Sequence, residues 1–148
     1  MVILRDYDSL TTIMFVYERK IRFQDTDAAG VIFFPNQFCF YQEAFEAFLE
    51  HIGYDLAAVT LTRKYHLPIV HAEADYSAPL RLGDNIEIHL KVARIGNSSL
   101  TFQADILRGG KIPAGGVKVV HVCVNALTLK KVSLPPSLRG KMESFYKK

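Results

Sequence analysis

The residues best equipped for chemistry stand together between Gln24 and Asn36. Gln24-Asp25-Thr26-Asp27-Ala28-Ala29-Gly30 interrupts an alternating pattern with small and turn-forming residues. Phe33-Phe34-Pro35 then leads to Asn36, placed to act as the N-cap of a helix. A carboxylate beside the start of a helix can serve attack on an activated carbonyl. The acid activates a nucleophile, and the helix start offers N–H groups and partial positive charge to a developing oxyanion. Losing one such donor typically costs about 10²–10³ in rate. Gly30 would let the backbone pass close to a ligand with no Cβ in the way. Two carboxylates compete for the base: Asp27, and Asp25, which at the strand end can also cap the turn. That both merely cap the loop is the third alternative, and residue types alone leave all three open.

Other reactive side chains read more simply. Cys39 falls in an apolar run with no histidine partner nearby and is expected to be a core thiol. His71, His89 and His121 sit on strands without metal-ligand spacing, so no metal is expected. Glu43 and Glu46 read as residues of a solvated stripe, with reach toward a neighbouring subunit's site as the alternative. Arg81, Arg94 and Arg108 could meet phosphates, but isolated arginines at strand ends are usually solvated. Asn36 has a second role open to it, contact with substrate or with a catalytic water.

The elements that must position these residues follow from periodicity. Residues 15–23 alternate as a half-buried strand. From Gln37 to Ile52 nearly every residue is apolar except Glu43, Glu46 and Glu50, which form one narrow polar stripe. Such a helix should be buried over most of its circumference, with Gly53 after its end. Extended character returns at 69–77, with a bend at 79–83. Strict alternation follows at 86–92 and 100–106, then a turn at Gly109-Gly110. Val117–Leu129 reads as a central strand, and the tail from Ser133 as an irregular end with one helical turn. A strand, a buried helix and four further strands imply one α+β domain, a curved antiparallel sheet wrapped around a long central helix. Residues 1–13 are expected to be an N-terminal extension, and 14–148 the domain.

The run Phe23-Gln-Asp-Thr-Asp-Ala-Ala-Gly-Val-Ile-Phe-Phe-Pro-Asn36 resembles the signature of the 4-hydroxybenzoyl-CoA thioesterase-like hotdog enzymes. Ala74-Asp-Tyr-Ser-Ala-Pro-Leu-Arg-Leu-Gly-Asp84 resembles the second half of the same pattern. Within that family the chain is most similar to cyanobacterial 1,4-dihydroxy-2-naphthoyl-CoA thioesterases of phylloquinone synthesis. The shared features are Phe15-x-Tyr17-x-Arg19, Asp-Thr-Asp-x-Ala-Gly-Val and Glu-Ala-Phe-Glu at 43–46. It departs from them at Phe34-Pro35-Asn36, a sequence found in more general acyl-CoA thioesterases, so a general short- or medium-chain or aromatic acyl-CoA or acyl-carrier-protein thioesterase is the alternative. The resemblance implies a hotdog fold and hydrolysis of an acyl-CoA without a cofactor. It aligns Asp27 with the catalytic aspartate and Phe34 with the residue whose backbone N–H holds the thioester oxygen. It also implies sites built between subunits of a homodimer or homotetramer.

The composition agrees with an enzyme of this size. The chain has 148 residues, 49% hydrophobic and 22% charged, with a net charge of +3 and no block of like charges, so no nucleic-acid partner is expected. No run reaches the roughly 20 apolar residues needed to span a membrane. Cys39 and Cys123 lack a pairing motif, and a reduced cytoplasmic setting is expected. A hotdog dehydratase is disfavoured because no His/Asp pairing is found. A non-catalytic acyl-CoA sensor would need an output module that the sequence does not show.

Overall fold

The computed structural model describes residues 2–5, 14–62 and 64–146. In chain order the elements are β1 (Val2–Arg5), β2 (Met14–Lys20), α1 (Asn36–His51), α2 (Leu56–Thr62), β3 (Tyr65–His66), β4 (Ile69–Tyr76), β5 (Asn85–Ile95), β6 (Ser99–Arg108), β7 (Ile112–Val122), β8 (Val124–Asn125) and α3 (Pro136–Glu143). One antiparallel sheet runs β1-β2-β5-β6-β7-β4, and β3 pairs with β8 beside it. Part of the expected N-terminal extension thus joins the sheet, since Val2–Arg5 pairs along β2. Residues 6–13 lie outside the described residues.

Alternation sets which side of the sheet faces α1. Ile86, Ile88, Leu90 and Val92 from β5, with Leu100, Phe102, Ala104 and Ile106 from β6, are all buried. They receive Phe40, Tyr41, Ala44, Phe45, Phe48 and Leu49 of α1. Phe48 meets Phe15 edge-on at 5.6 Å, and Phe45 meets Phe102 at 5.1 Å. Each such ring contributes on the order of 1.5–3 kcal/mol by leaving water, and Phe48→Ala would cost about 3–5 kcal/mol. This one-sheet wrapping of a single long helix is the expected hotdog arrangement.

Several local expectations need correction. The helix is buried on its sheet side, but Cys39, Glu46 and Glu50 are exposed. Cys39 lies four residues before Glu43 and seven before Glu46, so helical geometry puts it on the acidic stripe rather than in the core. The fourth strand of the run starts at Ile112 and ends at Val122, not at 117 and 129. Past it, the Asn125 side chain accepts from the N–H groups of Leu127 and Thr128 and closes a tight turn. α2 was not expected, and the single helical turn expected in the tail is an eight-residue helix, α3. Asp55 caps α2 by accepting from the N–H of Ala58 (2.9 Å), and α3 buries Leu138 and Met142 one turn apart. Pro136 suits the first turn of α3, where its missing N–H costs nothing.

Candidate active site

The loop from Arg22 to Asn36 folds back on itself. Asp27 N–H donates to Val31 O (3.0 Å) and Phe33 N–H donates to Asp25 O (2.8 Å), forming a two-rung ladder around the Thr26–Ile32 bridge. Gly30 closes the tip with a φ of +78°, and a Cβ built there meets nothing within 4 Å. Glycine is therefore required by the turn itself. Ile32 N–H reaches Leu80 O (2.9 Å), which anchors the returning arm on the bend after β4.

The two acids have opposite surroundings. Asp27 is exposed at the tip, and one of its carboxylate oxygens accepts from Ala29 N–H at 2.9 Å. Asp25 is buried at 8% exposure. Its Oδ2 accepts from Arg22 N–H (2.7 Å) and from Arg19 Nη2 (2.5 Å), which agrees with the turn-capping role open to it in the sequence.

The start of α1 differs from expectation. Pro35 occupies the cap position without a capping side chain, and Asn36 is the first helical residue. The Asn36 amide points back and donates to Asp25 O at 2.9 Å, so it ties helix to loop rather than capping. Nor are the first helical N–H groups free. Those of Asn36, Gln37 and Phe38 donate to Phe33 O, Phe34 O and Pro35 O in a tightened entry turn. Among the described residues, the Phe34 N–H one step earlier has no such acceptor. The carbonyl of Phe34 accepts from the Tyr76 hydroxyl (2.8 Å), whose pKa burial pushes up, so it stays a donor.

Aromatic side chains flank this N–H. Phe33 and Phe34 pack edge-on at 5.5 Å and are 49% and 62% exposed. Phe40, farther along α1, is fully buried beneath the Arg19 guanidinium, 4.3 Å from its ring. The loop is open within one chain. A cavity of about 940 Å³ lies elsewhere, between the C-terminal half of α1 and α2, lined by Leu49, Tyr54, Leu56 and Leu61 among others. It also carries the acids Glu46, Glu50 and Asp55, but it sits at the opposite end of α1 from the Asp25–Asn36 loop.

Several of the remaining candidates are engaged structurally, while Arg81 and Arg94 are exposed. Glu43 accepts from Arg19 Nη1 (3.1 Å) rather than standing alone in solvent. His71 bonds Glu73, and His89 bonds Glu87. His121 is buried between the Tyr41 hydroxyl (2.8 Å) and Leu67 O (3.0 Å), and desolvation holds its pKa below the usual histidine range. Arg108 donates to Pro79 O. Among the described residues, no three His, Cys, Asp or Glu side chains converge as a metal site. Sequence reasoning passed over Arg19 and Gln37. Gln37 is wholly buried and donates to Asp75 O (2.8 Å) and Gly116 O (3.1 Å). A glutamine one step inside a phenylalanine-rich helix was the available signal.

Known proteins resemble the chain in sequence and fold. A 1,4-dihydroxy-2-naphthoyl-CoA hydrolase of Synechococcus elongatus is 36% identical over 83% of this chain and 90% of its own. One of Gloeothece citriformis is 33% identical over 82% and 87%. The crystal structure of a 1,4-dihydroxy-2-naphthoyl-CoA thioesterase from Synechocystis matches with a TM-score of 0.83 and 27% identity, covering 87% of this chain and 95% of that one. A gentisyl-coenzyme A thioesterase matches with a TM-score of 0.76 and 25% identity, over 86% and 98%. The Thioesterase-like superfamily model matches residues 21–142, a span that runs from the loop through α3. With that match joined to the wrapped helix and the folded-back acidic loop, the chain belongs to the Thioesterase-like superfamily.

Proposed function

We propose that this enzyme hydrolyses 1,4-dihydroxy-2-naphthoyl-CoA to the free acid and coenzyme A, as a step of phylloquinone synthesis. The observation that carries the reaction is the Phe34 N–H, without an acceptor among the described residues and held on a braced turn beside the Asp27 loop. The thioester carbonyl lies against this N–H, which stabilises the oxyanion as it forms. Asp27 drives the attack, either by taking a proton from water or by adding to the carbonyl as a nucleophile. Its exposure leaves the carboxylate open to a substrate arriving from solvent. Gly30 shapes the tip around the acyl-CoA. Asn36, with one amide hydrogen bond committed to Asp25 O, borders the substrate through its remaining polar positions. The kinship to the two cyanobacterial hydrolases supports the naphthoyl substrate, and the rigid rings of Phe33 and Phe34 suit a flat bicyclic group.

The site is completed by a second copy of the chain. Edge strand β4 is exposed along nearly its whole length, including Ile69, Val70 and Tyr76. An edge of this kind is usually covered, and Tyr76 connects it directly to Phe34. A homodimer or homotetramer closes the open loop. Both cysteines are free, which suits a reducing cytoplasm.

The test compares kcat/KM for 1,4-dihydroxy-2-naphthoyl-CoA, benzoyl-CoA and palmitoyl-CoA by release of free thiol. The naphthoyl thioester should lead, over benzoyl by about 10–200-fold, the worth of filled apolar volume. Equal rates would indicate a generalist, and preference for palmitoyl-CoA would remove the phylloquinone role. The match to a gentisyl-coenzyme A thioesterase favours a second reading, a smaller hydroxylated aromatic acyl group. Gentisyl-CoA in the same panel separates the two.

A further inference from the structure

Asp25 is a junction as well as a turn cap. Its carboxylate holds Arg22 N–H and Arg19, while its carbonyl holds Phe33 N–H and the Asn36 amide (2.8 and 2.9 Å). One residue therefore grips the outgoing arm of the loop, the returning arm and the first residue of α1. Arg19 grips Asp25 in turn. Its guanidinium is shared between Asp25 and Glu43 on α1, and it lies over the Phe40 ring with its side chain 9% exposed. A buried ion pair of this kind adds little net stability compared with apolar packing, because two charges must leave water. What it supplies is direction. A planar fork with several donors holds two carboxylates at set angles, which a lysine's single charge cannot do.

We infer that Arg19 is a positioning residue for the hydrolytic reaction, fixing the Phe34 N–H relative to the Asp27 carboxylate through Asp25. The inference rests on the assignment of Asp27 and Phe34 made above. The chain of contacts is continuous: Arg19 to Asp25, the Asp25 carbonyl to Phe33 N–H, and Phe33 to its neighbour Phe34. Asp27 is two residues from the same junction. Loosening the junction lets the base and the oxyanion donor drift apart, and a displacement of about 1 Å can cost about 10²-fold in rate.

The full-length enzyme in its native assembly is assayed on 1,4-dihydroxy-2-naphthoyl-CoA as Arg19→Gln, Arg19→Lys, Asp25→Asn, the Arg19→Gln/Asp25→Asn double variant and Asp27→Asn, with folded fraction followed by circular dichroism. Arg19→Gln should lower kcat about 10²-fold per folded molecule while KM stays within about threefold, the pattern of a lost transition-state alignment. Arg19→Lys should recover part of the rate. The double variant should be no slower than the slower single one, since both break one linkage. Independent multiplication of the two losses would overturn the inference. So would a loss carried by KM, or activity in both Arg19 variants that falls only in step with folded protein. If Asp27→Asn is inactive while Arg19→Gln is normal, only the Arg19 role fails. A fully active Asp27→Asn would instead remove the assignment beneath it.

Discussion

Gly115 and Gly116 stand side by side on β7, and a methyl group added at each should have opposite effects. A Cβ at Gly115 would lie 2.3 Å from Asp75 O, 2.8 Å from Gln37 Nε2 and 3.0 Å from Gln37 Oε1. The first contact is with backbone of the paired strand β4 and cannot be relieved by a rotamer change. Overpacking of this kind costs about 1–3 kcal/mol. Displacing the Gln37 amide also strips donors from two carbonyls, about 1 kcal/mol per lost bond. The total is on the order of 3–5 kcal/mol, or a fall in melting temperature of roughly 6–20 °C for a domain of this length. At Gly116 the nearest atoms are Ala104 O at 3.5 Å and the Asp105 carboxylate at 3.7 Å, ordinary contacts. Alanine there should be neutral, or stabilising by about 0.4–1 kcal/mol through the unfolded chain. Thermal melts of both variants by circular dichroism decide it. Adding Gln37→Ala to Gly115→Ala should not restore stability, because the Asp75 carbonyl still blocks the methyl. Equal melting temperatures for the two glycine variants, or rescue by Gln37→Ala, would refute the reasoning.

Other outcomes follow from the same geometry. Asp27→Asn should fold normally and lose at least about 10²-fold in kcat/KM, the contribution of a base; retention of more than about a tenth of the activity would end its assignment. His121 is held neutral by burial, with its Nδ1–H on Leu67 O and its Nε2 accepting from Tyr41. Its folded-state pKa is depressed, so its contribution is complete above the unfolded value near 6.5 and is lost as pH falls below it. Urea midpoints at pH 7.5 and 5.0 should therefore fall less in His121→Gln than in the native chain, and an identical decrease would refute this. Light scattering should find a dimer or tetramer that Val70→Lys on β4 weakens along with activity. A wild-type monomer, stable and active, would disprove the shared site.

The features legible in the sequence were those written in local spacing. The alternation in β5 and β6 marked both strands, and the largely apolar run marked α1 as a helix packed against the sheet, though it is covered on one side only. The folded-back loop followed from Asp-Thr-Asp-Ala-Ala-Gly, whose glycine takes the positive φ that the turn requires. The features that escaped depend on distant partners. Arg19 meets Glu43 twenty-four positions away, so Glu43 looked solvated. Asn36 resembled a cap because its type fits one, but the Asp25 carbonyl competes for its amide. Nothing local says that the Phe40 ring turns inward under a guanidinium. α2 has only seven residues, and two threonines and a valine blur its helical pattern.

The strand order also sets a schedule. β5, β6 and β7 are sequential antiparallel neighbours joined by short turns, so they can pair as soon as each is made. β4 precedes them in the chain yet pairs only with the last of them, β7. α1, with its phenylalanines, emerges earlier still. During synthesis the helix and the strand that becomes the sheet's edge both wait unsheltered, for roughly 2–14 seconds at about 5–20 residues per second. The oily segment that later makes the core is thus the segment most in need of a chaperone while the ribosome finishes the sheet that will cover it.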